Sequence, residues 1–413
     1  MRKEDNPFEP GAGTKPRELF GRELILEDAE ASLIKGAKGR PVRGQIYYGL
    51  RGVGKTVLLR EVCNIAAQRG ALVADLETPE DKSLAHILVP AIRKLLIQLS
   101  ASERAKDLAR GAANALQSFA SQFKIKVGDT GLEVKSPKGV ADSGDIESDV
   151  TDLLIAAARA AKEQGRMILI AVDEMQYLKV DELSALITAI HKINQSSLPL
   201  ALFGAGLPQL LGIAGNAKSY SERLFEFIEI GALGMDDARR AIREPIIASE
   251  AEIAEDAVDY ILQKSEGYPY FLQEWGYRAW YAAERSPIVK ADTVAAEPRT
   301  IQALDKSFFR VRFDRLTNSE QLYLRAMAEL GPGPHKSGDV GRVLGKKNNQ
   351  VGPVRSQVIA KGMAYGGQYG MVHFSVPLFD GFMKRAMPDF KRKDETRKKA
   401  LTKKDPAKAL RRS

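Results

Sequence analysis

Cysteine is almost missing from this chain. Cys63 is the single one, which excludes an internal disulfide and any zinc site built from several thiolates. Histidine is scarce too, and four of them spread over 413 positions predict no dedicated metal cage. Long apolar runs are lacking. None approaches the ~20 residues that span a bilayer, so no membrane partner is expected. The opening stretch MRKEDNPFEPGAGTKPREL holds no apolar core of the kind a secretion signal carries, and a cytoplasmic protein is the expectation.

Net positive charge is absent from most of the chain and concentrated at its end. The first 305 residues hold 38 Lys/Arg against 44 Asp/Glu. Residues 306–383 hold 11 against 5, and residues 384–413 hold 13 against 4. A mildly acidic front and a basic back point to an anionic partner for the C-terminal part. A chain of 413 residues is also too long for one core, so two or three domains are expected.

Residues 1–19, rich in Pro, Gly and mixed charge, read as a flexible lead. From Phe20 to about residue 233, short uninterrupted apolar runs (QIYYG, ALVADLE, MILIAVD, LPLALFG, FEFIEIG) alternate with helical patterns. That pattern predicts a parallel sheet covered on both faces. Residues 83–145 interrupt it. They contain the helix-like SLAHILVPAIRKLLIQLS and a hairpin pattern, FKIKV-GDTG-LEVK, and read as an insertion decorating the sheet. Residues 234–305 are helical throughout.

Residues 306–388 follow with a different plan. Thr317 and Glu320 have capping-box spacing, ahead of a helix that would bury Tyr323, Ala326, Met327 and Leu330. A second helix would bury Val340, Val343 and Leu344, and a third Val351, Val354 and Val358. After a GGQYG turn, MVHFSV alternates. Three helices and a hairpin predict a winged helix. Residues 389–413 read as a basic disordered tail.

The chemistry sits in two stretches. GLRGVGKT, residues 49–56, fits G-x-x-x-x-G-K-[ST]. Its glycines allow a backbone that turns successive N–H groups to phosphate. Lys55 carries a charge to the β and γ phosphates, Thr56 a hydroxyl for Mg²⁺, and the following helix its positive end. Gly49, Arg51, Gly52, Val53, Gly54, Lys55, Thr56 and Val57 are therefore the expected ATP contacts. MILIAVDEMQYL ends a buried strand in two acids. Asp173 would hold Mg²⁺, and Glu174 would orient and deprotonate the attacking water.

These motifs make the chain resemble AAA+ P-loop ATPases of the origin-recognition-like and STAND-like prokaryotic group. FGRELIL, residues 20–26, resembles that group's opening segment, with the glutamate displaced to follow Arg22 directly. SYSERLF falls where the group carries its arginine finger, which gives Arg223 a catalytic role beside Lys55 and Glu174. Gly267-Tyr268-Pro269 resembles the lid element whose proline touches nucleotide. The resemblance implies an α/β fold, with an AAA+ core at 20–233, a helical lid at 234–305 and a winged helix at 306–388. It implies ATP and Mg²⁺ as ligands and ATP hydrolysis as activity.

The group's polar sensor on the fourth strand is replaced by Gly204, Ala205 and Gly206, and no second-sensor arginine stands in the lid. Slow, switch-like hydrolysis is the expectation. Arg223 beside Glu222 is equally the pattern of a solvated ion pair. A neighbouring subunit in a homo-oligomer, or a domain closure, would be needed to bring it to a γ-phosphate. DNA is the expected partner of the winged helix and tail. The third helix, however, offers Asn349, Ser356 and Gln357 rather than a row of arginines, so a docked protein partner stays open.

Overall fold

The computed structural model describes residues 1–11, 13–100, 106–127, 140–367 and 370–394. The chain divides into two compact units. The first comprises Gly11–Gly49 and Val53–Ala241; the second comprises Met1–Pro10, Leu50–Gly52 and Ile242–Ser413.

The first unit runs α1 (Glu23–Ala37), β1 (Gly44–Tyr48), α2 (Lys55–Gln68), β2 (Leu72–Glu77), α3 (Leu84–Ser100), α4 (Lys106–Gln122), α5 (Ile146–Glu163) and β3 (Ile168–Asp173). It continues with α6 (Val180–Gln195), β4 (Leu200–Gly206), α7 (Leu210–Ala217), α8 (Ser221–Leu224), β5 (Phe225–Glu229) and α9 (Met235–Ile247), whose last residues enter the second unit. The sheet has the order β2-β3-β4-β1-β5 and every pairing is parallel. All six residues of β3 and all seven of β4 are buried, which is why their sequences are unbroken apolar runs rather than alternating ones. Parallel pairing also places the carboxyl ends of β1 and β3 on one edge of the sheet.

Residues 83–145 differ from the expected decoration. Leu88, Ile92, Leu95, Leu96 and Leu99 of α3 are fully buried, as are Ala109, Ala112, Ala115, Leu116 and Phe119 of α4. They belong to the same apolar cluster as Ile168, Ile170 and Val172 of β3. Truncating a buried leucine costs about 2–5 kcal/mol, so these helices are part of the core. Of the hairpin expected over residues 123–135, the first arm, 123–127, forms no strand, and residues 128–135 lie outside the described residues.

The second unit contains α10 (Glu255–Ser265), α11 (Pro269–Ala282), α12 (Lys290–Ala303), α13 (Arg310–Phe313) and α14 (Asn318–Glu329). Then come β6 (His335–Lys336), α15 (Ser337–Leu344), α16 (Asn348–Ala360), β7 (Ala364–Gly366), β8 (Met371–Phe374) and α17 (Phe379–Ala386). The Thr317 N–H donates to the Glu320 carboxylate at 2.7 Å and starts α14. Tyr323, Ala326 and Met327 are buried beneath it, together with Val340, Val343, Val351, Val358 and Val372. Leu330 and Val354, expected inside, are half-buried. The three short strands form an antiparallel sheet of order β6-β8-β7.

The first ten residues differ from a flexible lead. Phe8 is 1% exposed and lies on Gly276 of α11, where even a Cβ would come within 2.6 Å of its ring. Asn6 Nδ2 donates to the Tyr277 carbonyl at 3.1 Å, and Trp280 Nε1 donates to the Arg2 carbonyl at 2.8 Å. Residues 395–413, most of the expected tail, lie outside the described residues.

Candidate functional site

β1 delivers the chain to Gly49, whose N–H donates to the Gly206 carbonyl of β4 at 3.2 Å. A Cβ on Gly49 would lie 2.0 Å from the Ile230 carbonyl oxygen, so no other residue fits there. The loop closes at Gly54, which caps α2 in the left-handed region at φ 91°. No side chain caps α2 among the described residues, and its first turn holds no acid. Its amides and positive dipole end are thereby left to an anion. Lys55 is 8% exposed, and its Nζ donates to the Gly49 carbonyl at 3.0 Å.

β3 brings the second half of the site to the same edge. Thr56 Oγ1 donates to Asp173 Oδ2 at 2.6 Å, and the Glu174 N–H donates to Asp173 Oδ1 at 2.8 Å. Burial pushes the Asp173 carboxyl above its ordinary value; the bond from Thr56 opposes that shift and the charge of Glu174 adds to it. A buried carboxylate beside a hydroxyl, an ammonium and an uncapped helix start is a donor set suited to a divalent cation carrying polyphosphate. Thr56 and Asp173 fit the cation; Lys55 and the amides of α2 fit the phosphates. A cleft of about 150 Å³ opens here, lined by Thr56, Leu59, Arg60, Asp75, Glu77 and Asp173. Asp75 and Glu77 of β2 were not singled out from the sequence; one more strand in the sheet order is what brings them in.

Glu174 stands at φ 54°, ψ 37°. A non-glycine residue there costs about 1–3 kcal/mol and persists only where its surroundings hold it. Met175–Tyr177 form a single 3₁₀ turn beyond it, from which Gln176 Nε2 donates to the Glu174 carboxylate.

The remaining expected residues divide. Val53 and Val57 are buried in the first unit and pack rather than present polar groups. Leu50–Gly52 belong with the second unit. The Arg51 N–H donates to the Ser375 carbonyl at 3.1 Å, and Arg51 Nε lies 3.4 Å from the Gly362 carbonyl. Gly52 accepts from the Tyr270 N–H at 3.2 Å. Arg51 thus spends these donors on protein carbonyls. Pro269 opens α11 in the second unit.

In the FGRELIL segment, the Arg22 guanidinium donates to the Gly231 carbonyl at 2.6 Å. Arg223 is exposed in α8, two residues before Phe225, which pairs with Gly44 at the start of β1. The five residues of β1, at ~3.3 Å each, put Arg223 roughly 16 Å along the strand from its own loop 49–56. The structure therefore brings together Gly49, Gly54, Lys55, Thr56, Asp173 and Glu174, and leaves Arg223 at the opposite edge of the sheet.

Residues 18–203 match the AAA ATPase domain family, and residues 306–383 match a Domain of unknown function (DUF8462). No curated protein matches the chain. A Walker-type ATPase of Pyrococcus abyssi shares the fold at TM-score 0.55 and 16% identity, over 91% of this chain and 99% of that one. Cdc6p of Pyrobaculum aerophilum aligns at TM-score 0.46 and 17% identity, over 94% and 99%. Orc1 of Aeropyrum pernix, in complex with DNA, aligns at 0.43 and 15%, over 90% and 94%. The five-stranded parallel sheet with the P-loop at its edge is the α/β fold of an AAA+ P-loop NTPase, and residues 18–203 are similar to the AAA ATPase domain family.

Proposed function

We propose that the protein is a slow, ATP-controlled switch that positions its C-terminal module on DNA. The 2.6 Å bond between Thr56 and Asp173 carries the nucleotide part of this reading. It joins the two motifs at one point, where a single cation would take oxygen from both. Mg²⁺ supplies neutralisation of phosphate charge there. Lys55 and the first-turn amides of α2 bind and orient the phosphates. Glu174 orients the water and takes its proton as the γ-phosphate passes to that water, leaving ADP and phosphate.

Two features favour slow turnover. The tip of β4 offers Gly204, Ala205 and Gly206, and Arg223 lies too far along the sheet to serve its own nucleotide. In this reading Arg223 acts on the nucleotide of a second copy. The module is read as a winged helix, supported by the order α14, α15, α16, β7, β8. Lys346 and Lys347 are exposed at the start of α16, with Asn349, Gln350, Ser356 and Gln357 exposed along it. Such groups bind phosphates and touch base edges. The P-loop tip gives the switch a mechanical link, because Arg51 and Gly52 are held by Ser375 and Tyr270.

One observation favours a second reading, a scaffold ATPase that docks a protein. Arg355, the arginine of α16, is half-buried and donates to the Met371 carbonyl of β8 at 3.2 Å, so it is turned away from any groove. A gel shift with random duplex DNA separates the two, run with ATP and with ADP, at 50 and 200 mM salt, and with or without residues 391–413. ATP-dependent retardation at low salt that survives removal of the tail supports the DNA switch. Six or more phosphate contacts would lose about 10³–10⁵ in affinity at the higher salt. No retardation at low salt with either nucleotide overturns the switch in favour of the scaffold.

A further inference from the structure

The turn after β3 carries a side chain that nucleotide binding does not account for. Gln176 is 7% exposed, and both ends of its amide are engaged. Nε2 donates to the Glu174 carboxylate, and Oε1 accepts from the Leu207 N–H at 2.9 Å, just past the end of β4.

The glycines of β4 are the other half of this arrangement. A Cβ on Gly204 would lie 2.1 Å from Met175 Sδ. One on Gly206 would lie 2.8 Å from Leu210 Cδ2 and 2.9 Å from Gln176 Oε1. The strand tip lacks a polar side chain because the turn that follows β3 is seated on it. The polar group is delivered from that turn instead, and its carbonyl is anchored to the backbone of the strand it replaces.

We propose that Gln176 is the positioning residue for Glu174. Its amide fixes the rotation of the carboxylate and ties it to the tip of β4. Gln176 acts through Glu174 and touches no nucleotide. The inference rests on the reading of Glu174 as the water-orienting carboxylate.

Two substitutions separate the ends of the amide. Gln176→Met keeps length and flexibility but removes both polar contacts. Gln176→Glu keeps an acceptor for the Leu207 N–H and removes the donation to Glu174. A carboxylate misplaced by about 1 Å loses on the order of 100-fold in rate. Both variants should therefore lower kcat for ATP by about 10- to 100-fold, with the Kd for Mg·ATP within about twofold of the parent. In a Glu174→Gln background, Gln176→Met should change nothing further.

Wild-type turnover in either single variant overturns the proposal. So does a rate loss matched by an equal loss of nucleotide affinity, which marks a structural role, or an undiminished further loss in the Glu174→Gln background. If the parent turns over ATP and Glu174→Gln slows this to a lower but measurable rate, these outcomes count against Gln176 alone. A parent that neither binds nor hydrolyses Mg·ATP would remove the site reading and this inference together.

Discussion

Truncating Lys55 strikes the nucleotide reading where the geometry is most committed. The side chain is 8% exposed, and its ammonium sits on the Gly49 carbonyl at 3.0 Å. The ammonium is buried at the start of α2, where a phosphate oxygen would join its partners. Removing one member of a buried, hydrogen-bonded charge pair costs about 2–5 kcal/mol. At 1.4 kcal/mol per decade, Lys55→Ala should weaken ATP by about 30- to 4000-fold. The loss should be smaller for ADP, which lacks the γ-phosphate. Alanine is the strongest helix former, so α2 should still start at this residue. The nucleotide-free variant should melt within about 2–4 °C of the parent, a shift of the order one kcal/mol produces in a domain of 150–250 residues. Calorimetric titration with Mg·ATP and Mg·ADP reads both quantities. A Kd for ATP within about threefold of the parent, in a variant that melts normally, would refute the site.

Three further outcomes follow from named contacts. Asp173 is held above its usual carboxyl range by burial. The folded form therefore binds a proton that the unfolded chain has released, and stability falls as pH rises through the window just above the ordinary aspartate value. Asp173→Asn, whose amide can serve both Thr56 and the Glu174 N–H, should remove that slope and raise the nucleotide-free melting temperature at pH 7. It should also abolish Mg²⁺-dependent stabilisation by ATP, and a variant still stabilised by Mg·ATP would contradict the role of Asp173. Arg223→Ala should keep ATP affinity and lose turnover, by up to about 10³–10⁵ where a finger is fully engaged. Mixing it with Lys55→Ala should restore activity if Arg223 serves a neighbouring copy; no restoration would leave it a surface ion-pair former. Gly276→Val should displace Phe8 and expose residues 1–10 to limited proteolysis, and unchanged protection would disprove the seat on α11.

What was legible in the sequence is what is local in it. β1, β3 and β4 are buried runs of five to seven residues, so their apolar pattern survives without knowledge of their neighbours. Both halves of the nucleotide site sit on such strands, and Lys55, Thr56, Asp173 and Glu174 could be named before their 2.6 Å junction was seen. α4 is amphipathic over Lys106–Gln122, with a buried face made largely of alanine, and that signal in the sequence was missed. The role of Gln176 is not legible locally, since its anchor, Leu207, lies 31 residues further on. Phe8 lies in a segment whose composition reads as a flexible lead. Its burial depends on a glycine of α11 that leaves room for the ring. Arg51 lies inside the motif by spacing, yet its donors answer to carbonyls at Gly362 and Ser375.

Those last contacts also bound how strongly nucleotide can act on the C-terminal module. Moving a two-state equilibrium from 1:99 to 99:1 needs about 5.5 kcal/mol of differential binding. The loop tip is held by the Arg51 N–H on Ser375, by Arg51 Nε on Gly362 and by the Tyr270 N–H on Gly52. Hydrogen bonds of this kind contribute about 0.5–1.5 kcal/mol each, so losing all three yields about 1.5–4.5 kcal/mol. That falls short of a complete flip. It corresponds to a shift of about 10- to 2000-fold in the equilibrium that the tip controls. Backbone hydrogen exchange around Gly362 and Ser375 should accordingly differ between ATP and ADP by a factor in that range. Exchange there that ignores the nucleotide, in a protein shown to bind it, would remove the loop tip as the link and leave the switch without a physical connection.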